Sequence, residues 1–347
     1  MKRQTKISIL AALMGVAALY VAGCGDKNND KGAIPADREI ATAGNALVDQ
    51  PQKPSLEPVG TKVTITDTSA ALYPINSMLN VGQTIYSACD GALLIRNLDD
   101  TITNAIAIGD NLRALTLHNG LLYVGGEKLY TVSGVDLVPL PEQFESAINV
   151  LYSYGDVLMI GTDNGLYSQT PIGTINLKEN ITVSALTSDG SGLWIGTDGD
   201  GLFRWDGETF QKRFLTRDES LFNNVTALDF NHGHLYLGTD QGLFVYDGGK
   251  WDPFDFTCGL PSNLVTSIDA SNWIVYIGTD KGLVTYYKDV FKPVEGFSGQ
   301  QIAAVRKVDR KLVVATTDQG LFVKTGNKVA ALVSVPHDEL QVALIEQ

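Results

Sequence analysis

Cysteine, histidine and positive charge are all scarce in this chain of 347 residues. It carries three Cys, four His, and 26 Lys and Arg against 39 Asp and Glu, for a formal net charge of −13. Beyond the first 60 residues only Cys89 and Cys258 remain, too few for a disulfide framework, and no Cys-x-x-Cys-His marks haem attachment. The histidines, His118, His232, His234 and His337, are dispersed. His232-Gly233-His234 has no third ligand in its neighbourhood and reads as a polar turn rather than a metal fragment. No His-Glu-x-x-His, Gly-x-Ser-x-Gly or phosphate-binding loop occurs, so the sequence offers no catalytic residue, no metal site and no cofactor site. The acidic balance excludes nucleic acid as a partner and opposes adsorption of the chain as a whole to anionic lipid. The longest apolar run, Ile7–Ala22, has 16 residues, short of the roughly 20 that a membrane-crossing helix needs.

Glycine is plentiful, with 35 residues, and it falls in a recurring phrase. The clearest copy is Leu235-Tyr-Leu-Gly-Thr-Asp-Gln-Gly-Leu-Phe-Val-Tyr246, two short apolar runs flanking a tight turn, which is a hairpin signal. Asp240 suits the first turn position, where a carboxylate accepts backbone N–H groups, and Gly242 suits a left-handed closing position. Six further copies place acids at 90, 127, 163, 198, 280 and 318. With Asp240 the spacings are 37, 36, 35, 42, 40 and 38 residues. A second mark confirms the count. An apolar residue opening an upstream strand precedes an apolar residue of the next strand by 11 positions in every copy: Ile75/Tyr86, Leu112/Tyr123, Ile148/Met159, Val183/Trp194, Val225/Tyr236, Val265/Tyr276 and Ile302/Val313. Each unit then reads as four strands; in the fifth these are Val225–Phe230 (A), Leu235–Gly238 (B), Leu243–Tyr246 (C) and about 251–256 (D). Four antiparallel strands in about forty residues form a propeller blade, and seven units predict an all-β, seven-bladed propeller.

Gly-Thr-Asp-x-Gly-Leu-Phe, Leu193-Trp-Ile-Gly-Thr197 and Gly259-Leu-Pro-Ser-Asn-Leu-Val265 resemble the two-component regulator propeller repeats found in periplasmic sensor regions of bacterial hybrid histidine kinases. The resemblance covers roughly residues 70–334. It implies the propeller architecture and says little about a ligand. No kinase, DNA-binding or membrane-spanning segment follows the repeats in this sequence.

The first 23 residues read as a targeting segment, with Lys2, Arg3 and Lys6 ahead of the apolar run. The run ends in Val21-Ala-Gly-Cys24, which resembles the bacterial lipobox. That resemblance implies a diacylated Cys24 as the mature N-terminus and, with Gly25 next, an outer-membrane destination. Several acyl chains, at about 0.8 kcal/mol per buried methylene, make a stable anchor. Residues 24–60 are small, polar and interrupted by Pro35, Pro51, Pro54 and Pro58; they read as a flexible tether to a propeller spanning 61–347. Removal of 1–23 leaves 23 basic against 39 acidic residues, or −16. The strand-like Lys62–Thr66 is expected to close the ring by pairing with the 302–334 blade, and Gln341–Ile345 competes for that role.

In such a ring the B–C turns and D–A loops share one face. Asp90, Glu127, Asp163, Asp198, Asp240, Asp280 and Asp318 should therefore circle that face. They read first as turn-capping carboxylates and alternatively as a cation-attracting rim. Asp198-Gly-Asp-Gly201 lacks the later ligands of a calcium loop and reads as a lengthened turn. Cys89 and Cys258 read as separate thiols, since a disulfide needs Cα atoms within about 7 Å. Trp194, Trp205, Trp251 and Trp273 read as packing between blades. The long D–A loops are the candidate partner surface: Arg217, Leu221 and Phe222 in one, Leu260 and Pro261 in the next. These side chains read equally as covers for their blade ends. The leading reading is a lipid-anchored, non-enzymatic binding or scaffold protein of the bacterial cell envelope that takes an envelope protein or glycan. An accessory sensor for a separate signalling protein, and a propeller lyase or hydrolase acting on a glycan, are the alternatives.

Overall fold

The computed structural model of the chain describes residues 61–65, 74–99, 103–134, 136–142, 144–213 and 224–332. Seven antiparallel sheets follow one another along the chain. Blade 5 shows the plan: Val225–Asn231 (A), His234–Thr239 (B), Gly242–Tyr246 (C) and Trp251–Phe254 (D), hydrogen-bonded in that order. The seven A strands are Ile75–Val81, Ala114–His118, Ile148–Tyr154, Thr182–Ser188, Val225–Asn231, Val265–Asp269 and Ile302–Val308. Each packs against the A strands of both neighbours, and the seventh packs against the first, so the ring closes within 61–332. The fold is the seven-bladed propeller that the repeat count predicts.

The recurring Gly-Thr has two separate jobs. The glycine ends strand B in the path of the next blade. A Cβ on Gly238 would fall 2.6 Å from Val265 Cγ1, and one on Gly161 would fall 2.5 Å from Val183 Cγ1. Gly125, Gly196 and Gly278 stand in the same relation to Ile148, Val225 and Ile302. At these five joints the apolar residue that opens strand A seats in a notch that glycine leaves open. The threonine closes the turn. Thr239 Oγ1 donates to Gly242 O at 2.9 Å and accepts the Gln241 N–H at 3.0 Å. Thr162 and Thr279 repeat both bonds, and Thr316 makes them to Gly320 and from Gln319 across a turn one residue longer. Thr197 donates to Gly201 across a turn one residue longer, as read from the sequence. The carboxylate therefore does not cap its own turn in these copies; a shorter, buried hydroxyl one residue earlier (two before Asp318) reaches the same groups first. Gly242 has φ of 135°, positive but more extended than a left-handed helical residue, and a Cβ there would strike Phe254 O.

A second device joins the blades. In six of them the A–B register shifts by one residue near the start of strand A. The extra residue is a bulge, which re-aims its side chain. Five of these residues are Asn, Ser or Thr, and each donates to the carbonyl of the apolar residue at the start of strand A in the next blade. The bonds are Asn76 to Leu112 (2.8 Å), Asn149 to Val183 (3.4 Å), Ser184 to Val225 (2.5 Å), Thr226 to Val265 (2.6 Å) and Thr266 to Ile302 (2.5 Å). Arg113 reaches the Asn149 side chain instead, at 2.9 Å. The sixth bulge residue is Ala303, which has nothing to donate.

The seam between blades 7 and 1 is held differently. Ile75, Cys89 and Ala92 pack with Ala304, Val313 and Ala315 in one core. Lys311 Nζ donates to Leu98 O at 3.0 Å and to Asp99 Oδ1 at 2.7 Å, and Gln83 Nε2 donates to Asp309 Oδ2 at 2.6 Å. Here the ring-closure expectation is corrected. Thr61–Ile65 pairs with Thr103–Asn111, in the register Thr61 to Ala107 and Ile65 to Thr103, and so belongs to blade 1. Blade 7 has its own outer strand, Lys328–Leu332, and offers no vacancy. Within blade 1, Thr84–Asn97 doubles back at Asp90-Gly91. Gly91 has φ of 84° and the Leu98 N–H donates to Gln83 O at 2.9 Å, so Thr61–Ile65 adds a rung outside the usual fourth strand. Gln341–Ile345 lies outside the described residues.

Candidate ligand face

The acids do share the face of the B–C turns, and three of the seven are occupied with their own blade. Asp90 Oδ1 accepts from Asn76 at 2.8 Å, Asp163 Oδ1 from Asn149 at 2.7 Å, and Asp240 Oδ2 from Asn224 at 3.0 Å. These carboxylates orient the amides that cross to the next blade or open strand A. Arg113 lies 3.7 Å from Asp163, a half-exposed pair of the kind that adds little stability. Asp198 bridges to Asn224 through the backbone. Glu127 and Asp318 are exposed, and Asp280 Oδ1 is buried with no hydrogen-bond partner. Among the described residues no three His, Cys, Asp or Glu side chains gather where one metal ion could be held.

The expected partner residues are only partly in view. Arg217, Leu221 and Phe222 lie outside the described residues, as does Cys24. Leu260 is 4% exposed and packs with Leu243, Val265 and Val284, so it covers its blade end and presents nothing to a partner. Pro261 is half-buried. Cys258 is exposed, Cys89 is buried and its thiol is pushed up by burial, and neither is in a disulfide.

The same face carries a concavity that the sequence reading missed. Glu145 from the loop between blades 2 and 3, Asn164 from the B–C turn, Tyr167 from strand C, Asn176 and Glu179 from strand D, and Asn180 from the following loop line a cleft of about 460 Å³. The Asn180 N–H donates to Asn164 O at 3.2 Å and closes one wall. Asn180 has φ of 59°, a left-handed conformation that asparagine tolerates better than most residues. A Cβ on Gly165 would fall 2.6 Å from Lys178 O, so the absence of a side chain there lets strand D approach. Tyr167 is held edge-on by Phe144, 5.3 Å between centroids. Three carboxamides, two carboxylates and a phenol give donors and acceptors in every direction and no basic side chain. The one hint in the sequence was the concentration of Asn164, Asn176 and Asn180 within a single unit.

The opposite face is unlike it. Trp194 is buried, Trp205 stacks on Phe210 and Trp251 stacks on Tyr246 with centroids 4.7 Å apart, all as packing residues. Trp273 departs from that role: it is 71% exposed on the A–B turn of blade 6, stacked on His232 at 3.7 Å. Further in, Asp189 accepts from Ser191, Trp194 and Arg204. Burial opposes its ionisation, yet these bonds outweigh it and hold the carboxyl below its ordinary range.

No protein-family model matches the chain, and no curated protein does. Solved structures match its fold. The extracellular domain of a hybrid two-component system protein from B. thetaiotaomicron aligns with a TM-score of 0.64 and 17% identity over 77% of this chain. This chain spans 41% of that structure's length. The WD40 propeller domain of Doa1 aligns at 0.55 with 16% identity, covering 73% of this chain and 96% of that one. The computationally designed protein Ika8 aligns at 0.54 with 14% identity, covering 78% and 99%. The first of these is consistent with the two-component propeller repeats read from the motifs.

Proposed function

We propose that this protein is a non-enzymatic binding protein of the bacterial cell envelope, anchored by lipid on Cys24, that takes a glycan on the B–C face. The observation that carries the reading is the cleft of blade 3. Its amides, carboxylates and phenol offer hydrogen bonds to a ring of hydroxyls, and the tyrosine offers a flat apolar edge. The acidic balance of the chain disfavours an anionic polymer and leaves neutral saccharides as the fitting class. The likeness to a sensor-type extracellular domain favours a second reading, in which the bound state is presented to a separate signalling protein.

The test is retention of envelope glycan fragments by the purified protein, followed by titration of a retained fragment. Asn176→Ala and Tyr167→Ala are each expected to weaken binding about tenfold, the worth of one good polar contact. Retention unchanged in both variants overturns the assignment of the cleft. Glu145 and Glu179 also place two carboxylates in one cleft, which is the chemistry of glycan hydrolysis. Release of new reducing ends, abolished by Glu145→Gln or Glu179→Gln, would replace the binding reading with an enzymatic one.

A further inference from the structure

The described side chains that are large, apolar and exposed are unevenly placed. Leu117, Leu121, Ile172, Trp273, Ile274, Tyr287 and Val290 sit on or beside A–B or C–D turns, the face away from the cleft, while Phe256, 62% exposed, lies in the loop after blade 5 on the cleft face and Val329 in the outer strand of blade 7. Leu117 and Leu121 belong to blade 2 and Ile172, 82% exposed, to blade 3; the other four belong to blade 6, across the ring. The blade 6 group is held ready. Trp273 lies flat on His232, and Asn231, next to that histidine, donates to Ala270 O, tying the two turns together. His232 takes a φ of 49° at the apex of its turn.

Charge follows the same division. Residues 265–332, which form blades 6 and 7, contain nine Lys and Arg against six Asp and Glu, in a chain whose total is −13. The acids on the turns of blades 5 to 7 accept hydrogen bonds or pair with a base, while Asp156 in the A–B turn of blade 3 and Glu208 in the C–D turn of blade 4 are exposed on the same face. Asp289 accepts from Tyr286 at 2.7 Å, Asp309 from Gln83, and Asp247 from the N–H groups of Gly249 and Lys250, while Asp252 pairs with Lys250. Lys288 lies over the Tyr287 ring at 5.1 Å, and Arg310 and Lys328 have no ion pair or hydrogen bond among the described residues.

We propose that the face of the A–B and C–D turns rests on a lipid bilayer, with blade 6 as the principal contact. Trp273, Ile274, Tyr287 and Val290 enter the interface, and Lys288, Arg310 and Lys328 meet anionic headgroups. Tryptophan and tyrosine favour the headgroup level, where one end of the ring is apolar and the other wet. Each basic residue near an anionic surface adds to the attraction. Projecting tips on separate turns fit a fluid, featureless surface; a protein partner is usually gripped by a packed central patch. The net negative charge opposes adsorption of the chain as a whole, but blades 6 and 7 carry the opposite sign. The proposal rests on the envelope reading and adds an orientation: the cleft points away from the membrane.

The test uses the mature, lipidated protein on vesicles of phosphatidylethanolamine and phosphatidylglycerol with brominated acyl chains. Tryptophan emission is expected to be quenched, with the quenched fraction falling at least threefold in Trp273→Phe and unchanged in Trp251→Phe. Lys288→Glu combined with Lys328→Glu should at least halve it. Unquenched emission from protein that floats with the vesicles overturns the proposal, and so does equal loss in Trp251→Phe. Anchoring is judged separately by flotation of Cys24→Ser against wild type. If wild type does not float, the anchor reading fails, and quenching at raised lipid concentration still decides the face.

Discussion

Blades 6 and 7 meet through a staple: Thr266 on a bulge donates to Ile302 O, and Gly278 receives the Ile302 side chain. Blades 7 and 1 meet with alanine at both places, Ala303 on the bulge and Ala315 at the notch, and with Lys311 and Gln83 reaching across the outer turns. One joint is a repeated local device, while the other brings the two ends of a long chain together. The difference shows that the repeat encodes each joint with the next unit. The last joint has no next unit in the sequence and is met by side chains outside the motif.

The largest test is at the notch. Gly238→Ala puts a Cβ against Val265 and should cost about 3 kcal/mol, the upper range for overpacking, whereas Ala315→Gly at the seam should cost about 1 kcal/mol. Urea titration measures both, and equal costs would erase the distinction. Asp189→Asn examines stability inside one blade. It leaves Arg204 and Trp194 short of an acceptor and should cost about 2 kcal/mol at neutral pH. The carboxyl is held below its ordinary range in the fold, so its contribution is complete above the unfolded pKa and is lost as pH falls through the lower folded value. The gap between wild type and variant should therefore close below about pH 4, read from melting temperatures across pH. Removing one staple with Thr266→Val should cost about 1 kcal/mol. The smallest change runs the other way: Ala303→Thr supplies the missing donor and should stabilise by about 0.5 kcal/mol, with slower amide exchange in Ile75–Val81.

The architecture was legible because its signal was redundant: seven turns and seven constant offsets agreed. The work done inside each turn was not. Thr239 and Asp240 are adjacent and both chemically able to cap a hairpin, and only the path of the backbone decides that the hydroxyl does it. The place of Thr61–Ile65 was misread for a related reason. Its alternation says strand, and no feature of a five-residue strand names its partner. Leu260 and Trp273 exchanged roles because an apolar residue in a loop looks the same whether it plugs a blade end or projects from a turn. The cleft was not legible because its six residues come from two loops, a turn and two strands of one unit, and only their meeting makes a shape.

Among the described residues each blade draws its strands from one contiguous stretch of chain, blade 1 included, and none is shared across the closing seam. The genetic unit and the sheet therefore coincide. An in-frame recombination between neighbouring repeats would delete or add a whole blade without cutting a sheet, and every remaining blade could still form its hydrogen bonds. What such an event would damage is the circle. The packing of each strand A against its neighbours fixes the turn from one blade to the next, so six or eight units bring the ends together at the wrong angle. Gene length in this family of folds can change only in steps that a closed ring rejects or that all its joints absorb together.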